Sequence, residues 1–300
     1  MAKWIDVGDT SRSAAEVAEE ILCARLDAVR NLLPLAAHEY RNDVEYVHQL
    51  RVGCRRTAAA LQAFGPLLGK KSVELKKALR LVRRAAGPAR DADVLLERLA
   101  GESLSKPCHE FVMSMLVRRR ECVQSELSAA ASKSHVAKLV AGWSRCQKRL
   151  HKRSRSAAAQ RFHDFAESAI QKPARHMLEF VCGPQSSVAE LHEFRIAGKR
   201  LRYSIELFHD VLPEVLRDDV YPIVEEIQSR LGRLNDHATA QALYQHWLSK
   251  LPANEQAAQL ARRIVLEHEA AVDVRHEFLD WWSTSRAEAF RSLLTAAIKS

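Results

Sequence analysis

The feature that most constrains this chain is a pair of motifs that occurs twice in the same order. Val47–Thr57 reads VHQLRVGCRRT, and Leu191–Arg202 reads LHEFRIAGKRLR at an offset of 144. A second pair follows at an offset of 145, with Gly87–Asp91 (GPARD) matching Gly232–Asp236 (GRLND). Two motifs at nearly one offset indicate a duplicated unit. The aligned basic positions are His48 and His192, Arg51 and Arg195, Arg55 and Lys199, and Arg56 and Arg200.

On a helix, each copy of the first motif has an apolar side and a basic side. A solvated basic face is the usual meaning of such a pattern, but it does not explain the same order of His and cations twice. A solvated face also usually carries both signs of charge, whereas the basic side of each motif does not. This difference favours an anion-binding role. The first copy sets His48, Arg51 and Arg55 opposite Leu50, Cys54, Thr57, Leu61 and Phe64, and the second sets His192, Arg195, Lys199 and Arg202 opposite Phe194, Leu201, Ile205 and Phe208.

Composition predicts an all-α protein. Hydrophobic residues make up 47% of the chain, with only 10 Gly and 9 Pro, and no alternating β-branched run or Asn-Gly turn is present. No apolar stretch approaches the roughly 20 residues of a membrane span, and the first residues lack the apolar core of a signal peptide. We therefore predict a cytoplasmic protein without a membrane partner. The six scattered cysteines, without a CxxC motif, are predicted to be reduced thiols.

The positive charge is concentrated in one segment. Between His48 and Arg90 there are eleven Lys or Arg and one acid, Glu74. The net charge of the whole chain is +9, so the rest of the chain contributes almost nothing to it. Local basicity of this kind favours an anion-binding site over a role in general solubility. Five of these cations lie within about a third of the circumference of one predicted helix: Lys76, Lys77, Arg80, Arg83 and Arg84.

Helix start and stop signals divide the chain into two helical halves. The first covers about 13–130, a junction covers about 131–156, and the second covers about 157–285. Ser11 or Ser13 is expected to cap the first helix, and Ser186 or Ser187 the helix of the second motif copy. Gly87-Pro88 and Gly232 are expected to end helices, which would make Asp91 an N-cap or first-turn acid.

The two motif pairs resemble the CHAD family, the conserved-histidine α-helical domain. The resemblance covers about residues 13–285 and rests on the segments VHQLRVGCRRTAAALQAF, GPARDADVLL, LHEFRIAGKRLRYSIELF and LGRLNDHATA. It implies two mostly four-helix bundles, related by a pseudo-two-fold axis, with a basic cavity between them. Family members bind inorganic polyphosphate there, and some localise to polyphosphate granules. Many relatives carry a CYTH domain, but its ExExK strand is absent here, so the phosphatase chemistry linked to that domain is not expected.

The resemblance also supplies the candidate polyphosphate-binding residues. The second half departs from the basic pattern, since its equivalent helix reads YPIVEEIQSRLGRLND with Glu225 and Glu226. We therefore expect a lopsided site, heavier on the first half. The candidate residues are His48, Arg51, Arg55, Arg56, Lys76, Lys77, Arg80, Arg83, Arg84 and Arg90, with His192, Arg195, Lys199, Arg200 and Arg202 from the second half.

Binding without catalysis is the expected activity, and no cofactor or metal is expected. No P-loop is present, and no nucleophile accompanies either motif histidine. A di-iron pair at Glu45 and His48 has no equivalent at Ala189, and arginines crowd the site. His163-Asp164 is expected to be a surface pair. The alternatives are a nucleic-acid binder, which the low aromatic content of 6% disfavours, and an enzyme acting on phosphate anhydrides.

Overall fold

Helices dominate the computed structural model, which describes residues 3–100, 106–181, 183 and 186–299, without the side chains of 106–108. No strand occurs among these residues, and a single isolated bridge joins Ser13 to Arg161. The all-α prediction is confirmed. The helices are α1 (Ala14–His38), α2 (Glu45–Ala63), α3 (Gly65–Leu68), α4 (Val73–Ala100), α5 (Lys106–Ala130), α6 (Lys133–Ser154), α7 (Phe162–Glu179), α8 (Val188–Phe208), α9 (Tyr221–Leu248), α10 (Glu255–Trp281) and α11 (Thr284–Ala297), with a 3₁₀ turn at Gly69–Ser72 and a π-helical turn at Leu216–Val220.

Capping boxes start α1 and α8. The Ser13 hydroxyl accepts a hydrogen bond from the Glu16 amide (3.3 Å), and the Glu16 carboxylate accepts one from the Ser13 amide (3.0 Å). Ser187 and Glu190 repeat this arrangement at the start of α8, with distances of 3.3 and 2.7 Å. Each serine satisfies a backbone donor that the helix itself cannot satisfy. Both predicted starts are therefore confirmed.

Two predicted helix ends are wrong. α4 continues through Gly87-Pro88, and α9 continues through Gly232. Proline removes one backbone donor from a helix, but Arg51 of α2 donates to the Gly87 carbonyl (2.8 Å) and to Asp91 (2.9 Å), which ties both sides of the proline turn to a neighbouring helix. In α9, the burial of Leu231 and Leu234 on either side of Gly232 outweighs the poor helix propensity of that glycine.

The chain forms two compact units that interleave along the sequence. Unit 1 comprises Met1–Val94, Arg118–Gln171 and Tyr203–Leu212, and unit 2 comprises Leu95–Val117, Lys172–Arg202 and Pro213–Ser300. Each unit therefore combines stretches that are distant in sequence, whereas the predicted halves follow chain order. The division at 13–130 and 157–285, the pseudo-two-fold axis and the basic cavity stay predictions.

The core of unit 1 confirms the apolar side of the first motif. Leu50, Cys54, Thr57, Leu61 and Phe64 are all fully buried. Phe64 lies 5.7 Å, centroid to centroid, from both Phe165 and Phe208, edge-on to the latter. Burying each large apolar side chain stabilises the fold by about 1.5–3 kcal/mol. This packing fixes the rotation of α2 and turns its basic side away from the core.

In unit 2, the second motif is held by an aromatic cluster. Phe194 of α8 is fully buried and packs 5.5 Å from the Trp282 ring, which also meets Phe290 at 5.7 Å. Trp282 therefore anchors the C-terminal part of the chain to this helical core. This contact sets the orientation of α8.

A glycine brings α6 close to α4 within unit 1. A Cβ atom at Gly142 would lie 3.0 Å from the Cα and Cβ atoms of Leu75. Any larger residue at this position would push the two helices apart. The close approach places the C-terminal half of α6 beside the first turns of α4.

The cysteines with described side chains are free thiols. Cys54 and Cys146 are buried, Cys23 is partly buried, and Cys122 is exposed. Burial raises the pKa of Cys54 to about 12, which keeps it protonated at neutral pH. The side chains of Cys108 and Cys182 lie outside the described ones. Within the described ranges, no helix is both long and apolar enough to cross a membrane.

Candidate anion-binding site

Cations from α2 and α4 gather around His48. The side chain is half-buried, and Arg51, Arg55 and Arg90 are close enough to affect its ionisation. Burial is the main cause that lowers the pKa of His48, Arg90 adds to it, Glu45 opposes it, and Arg55 and Arg51 lower the pKa further. His48 is therefore neutral at pH 7 in the ligand-free protein. A cluster of like charges of this kind is relieved by a bound anion.

Arg51 clamps α2 to α4. It bonds the Gly87 carbonyl (2.8 Å) and Asp91 (2.9 Å), and a Cβ at Gly87 would lie 3.5 Å from its guanidinium. Asp91 is thus an ion-pair partner, and the prediction that it caps a helix is wrong because α4 does not begin there. The two repeated motifs contact each other directly in the first copy. This contact gives a structural reason for their joint occurrence and brings Arg90 towards His48.

Arg56 points into the interior of unit 1. Its Nε atom donates to Glu206 at 2.9 Å, and the two side chains are only 12% and 1% exposed. The neighbouring Arg25 is 1% exposed and donates to the Lys3 carbonyl at 3.1 Å. Burial and the charge of Arg56 lower the pKa of Arg25 to about 10, against the opposing effect of Glu206. Arg56, predicted as an anion ligand, therefore belongs to a buried ion cluster.

The basic row of α4 borders a surface depression in unit 1. Its volume is about 280 Å³, and its lining is Ala58, Gln62, Lys76, Leu79, Arg80 and Arg83. Arg80, Arg83 and Arg84 are exposed, and Lys77 pairs with Glu74 at 3.0 Å. Sequence reasoning missed Ala58 and Gln62 as lining residues. They follow Arg55 at helical spacings of three and seven, so extending the basic side of α2 by two turns would have found them.

Two cations of the second motif copy already contact neighbouring side chains. Arg200 contacts His176 (2.8 Å), and Arg202 lies 3.7 Å from Glu225. His192 and Arg200 are exposed, while Arg195, Lys199 and Arg202 are half-buried. Glu225 therefore offsets part of the positive charge on α8.

The α9 counterpart of the basic row in α4 carries no cation. The offset of 145 gives the residues of α9 that correspond to this row. They are Tyr221 for Lys76, Pro222 for Lys77, Glu225 for Arg80, Gln228 for Arg83, Ser229 for Arg84 and Asn235 for Arg90.

The contacts of Arg83 and Gln228 agree with this alignment. Arg83 lies close enough to the Cys54 thiol to lower its pKa against the larger effect of burial. Its counterpart Gln228 would meet a Cβ at Gly198, the counterpart of Cys54, at 2.6 Å. Gln228 also donates to the Arg195 carbonyl at 2.8 Å. The basic row of α4 is therefore not repeated on α9.

One group of potential metal ligands stands out among the described side chains. His163, Asp164 and Glu167 of α7 place their ligand atoms within 4.8 Å of one another, with both His163 and Glu167 exposed. Arg161 already binds both oxygens of Asp164, at 3.2 and 3.3 Å. Glu45, which the di-iron hypothesis pairs with His48, accepts a hydrogen bond from Gln49 at 2.6 Å. Asp164 and Glu45 are therefore both engaged by side chains of their own neighbourhood.

Comparison with known proteins identifies the family. A family model, the CHAD domain, matches residues 20–245, so the chain belongs to the CHAD domain family. The fold is similar to the crystal structure of the CHAD domain from the plant Ricinus communis, with a TM-score of 0.75, 20% identity, and 99% of this chain and 96% of that chain covered. It is also similar to PptA from Streptomyces chartreusis, with a TM-score of 0.55, 18% identity, and 96% and 100% covered. No curated protein matches the chain.

The lowered pKa of His48 predicts a pH dependence of stability. The unfolded chain titrates this histidine near pH 6.5 and the folded protein does so at lower pH. Between these two values the unfolded state binds more protons, so the free energy of unfolding falls as the pH falls. In denaturant titrations of ligand-free protein, the wild type is expected to lose more stability between about pH 7.5 and 5 than His48→Gln. Equal losses in the two proteins would contradict this electrostatic description of the cluster.

Proposed function

We propose that this CHAD protein is a non-catalytic binder of inorganic polyphosphate, with its main contacts on α2 and α4 of unit 1. The observation that carries the proposal is the convergence of Arg51, Arg55 and Arg90 on His48. Of these, Arg51 mainly positions the others, because Gly87 and Asp91 engage it. The cations of α8 form a second set of lower net charge, owing to Glu225. The proposed contacts are His48, Arg55, Lys76, Arg80, Arg83, Arg84 and Arg90.

Polyphosphate suits this surface better than a compact anion does. From Lys76 to Arg90 the cations follow α4 over about 21 Å, at 1.5 Å per residue. A long row matches a chain that carries repeated negative charge and presents no base or sugar ring to recognise. The planar fork of Arg gives two charge-assisted hydrogen bonds per phosphate, while Lys supplies a compact charge. Such a protein would also be drawn to cytoplasmic granules where the polymer accumulates.

Neutralising the row is expected to weaken polyphosphate binding strongly. The variant Arg55→Gln/Arg80→Gln/Arg83→Gln should bind about 10- to 100-fold more weakly at about 0.1 M salt, because three charge-assisted contacts are lost. The slope of log affinity against log salt should fall by about 2–3. Fluorescence anisotropy with end-labelled long-chain polyphosphate measures both quantities.

A matched control removes the same charge from elsewhere. Lys172→Gln/Lys250→Gln/Arg262→Gln changes three exposed cations outside unit 1 and should change affinity by less than about threefold. The proposal fails if the wild type does not bind polyphosphate at low salt, or if the two triple variants lose equal affinity.

Two further assays separate the competing functions. Polyphosphate should displace a bound RNA oligonucleotide at a lower charge concentration than RNA needs to displace polyphosphate, because the row offers no aromatic stacking platform. Incubation of the protein with polyphosphate and Mg²⁺ should release no orthophosphate. Preferential RNA binding would favour a nucleic-acid function, and orthophosphate release would favour an enzyme.

A further inference from the structure

α6 carries an unusual charge pattern. Lys133–Ser154 contains seven Lys or Arg and no Asp or Glu. Arg149 and Arg153 serve the fold, because they donate to the Leu67 and Pro66 carbonyls at 2.9 and 3.3 Å. The other five are exposed, and three of them recur at spacings of three and four, which places these three on one side of the helix. This stripe, called the α6 stripe below, consists of Arg145, Lys148 and Lys152.

The α6 stripe begins beside the depression on α4. Gly142 packs on Leu75, one residue before Lys76, and Cys146 donates to the Lys71 carbonyl at 3.5 Å. Arg145 and Lys76 both act on the buried Cys146 thiol: burial raises its pKa to about 11, and the two cations oppose that rise. Lys76 in turn lines the depression with Arg80 and Arg83. The basic surface is thus continuous from α4 onto α6 within unit 1.

The acids close to this surface have contacts of their own. Glu19 of α1 accepts a hydrogen bond from Gln147 (2.8 Å) and lies 3.1 Å from His151. Glu74 of α4 pairs with Lys77 at 3.0 Å. Neither contact involves a residue of the α6 stripe, so the stripe keeps its positive potential.

We infer that the α6 stripe is a second subsite for polyphosphate, onto which a chain longer than the α4 depression continues. The inference rests on the proposed function and extends it to chain-length preference. Along α6 the stripe adds about 10 Å of cationic surface at 1.5 Å per residue. The stripe consists of one arginine, with a forked guanidinium, and two lysines, with flexible ammonium groups, and it includes no aromatic residue. This composition suits a phosphate chain better than stacked bases.

Chain length provides the test. The variant Arg145→Gln/Lys148→Gln/Lys152→Gln should bind long-chain polyphosphate about tenfold more weakly than the wild type. Its affinity for tripolyphosphate, which is short enough to occupy the α4 depression alone, should change by less than about twofold. Isothermal titration calorimetry with both ligands measures the two effects, and circular dichroism melting verifies that the exposed substitutions leave the fold intact.

The same control variant, Lys172→Gln/Lys250→Gln/Arg262→Gln, should retain affinity for both ligands. If the wild type binds neither ligand, the proposed function itself fails. If the wild type binds both and the α6 variant keeps its affinity for the long chain, the subsite is refuted while the function stands. Equal loss for the two ligands would also refute a separate subsite, and a loss confined to an RNA oligonucleotide would assign the stripe to nucleic acid.

Discussion

Replacing Glu206 with glutamine is expected to lower the free energy of unfolding by about 3–5 kcal/mol. The carboxylate is 1% exposed and accepts a hydrogen bond from Arg56, and its charge also acts on the buried Arg25. Glutamine keeps the volume and an acceptor oxygen but removes the charge that offsets two buried guanidinium groups. Buried charges that lose their counter-charge are costly because the interior cannot replace their hydration. Urea denaturation followed by circular dichroism measures the change.

A surface pair provides the control for Glu206. Glu214 is exposed and lies 3.9 Å from Arg217, so Glu214→Gln should cost less than about 1 kcal/mol. Adding Arg25→Met to Glu206→Gln should restore part of the lost stability, because it removes one buried cation. An unfolding midpoint for Glu206→Gln equal to that of the wild type would show that the cluster contributes little.

Arg120→Ala is expected to destabilise the protein by a similar amount, about 3–5 kcal/mol. Arg120 and Asp93 are buried and bonded at 2.5 Å, and Arg120 also donates to Gln124 at 2.6 Å. Gln124 in turn donates to the Ala36 and Ala37 carbonyls at the end of α1. Truncation therefore leaves a buried carboxylate without its arginine and frees the Gln124 side chain that donates to the last turn of α1.

The neighbouring Arg118 tests the specificity of that loss. It is exposed on the same helix, so Arg118→Ala should change stability by no more than about 0.5 kcal/mol. The double variant Asp93→Asn/Arg120→Met should be more stable than Arg120→Ala, since it leaves no buried charge. Equal effects of Arg118→Ala and Arg120→Ala on the urea midpoint would contradict the role of the buried pair.

Local sequence patterns predicted the features of the fold that depend on residues close together in the sequence. The all-α class, the serine caps and the buried side of α2 depend on neighbours within one or two turns. The partners of the cations could not be predicted in this way. Arg56 donates a hydrogen bond to Glu206, 150 residues later. Arg51 binds Asp91, which lies on α4 beyond the helix end predicted at Pro88. Tertiary contacts outweighed local helix propensity at Gly87-Pro88, and a contact across 150 residues has no local signal at all.

The run Arg118–Arg120 has the composition of a solvated basic surface, yet Arg120 is 5% exposed. Val112, Leu116, Gln124 and Leu127 are also buried, and Arg120 falls on their stripe at spacings of four and three. Helical periodicity would have predicted an inward-facing arginine and therefore an acidic partner.

The bond from Arg51 to Gly87 and Asp91 has a consequence for the thermodynamics of recognition. It ties two helices together in the ligand-free protein, so under the proposed function the cations they carry would need little rearrangement on binding a polyanion. A prearranged surface avoids much of the entropic penalty of association. Asp91 also supplies an internal counter-ion for Arg51, which reduces the repulsion among these cations in the ligand-free protein.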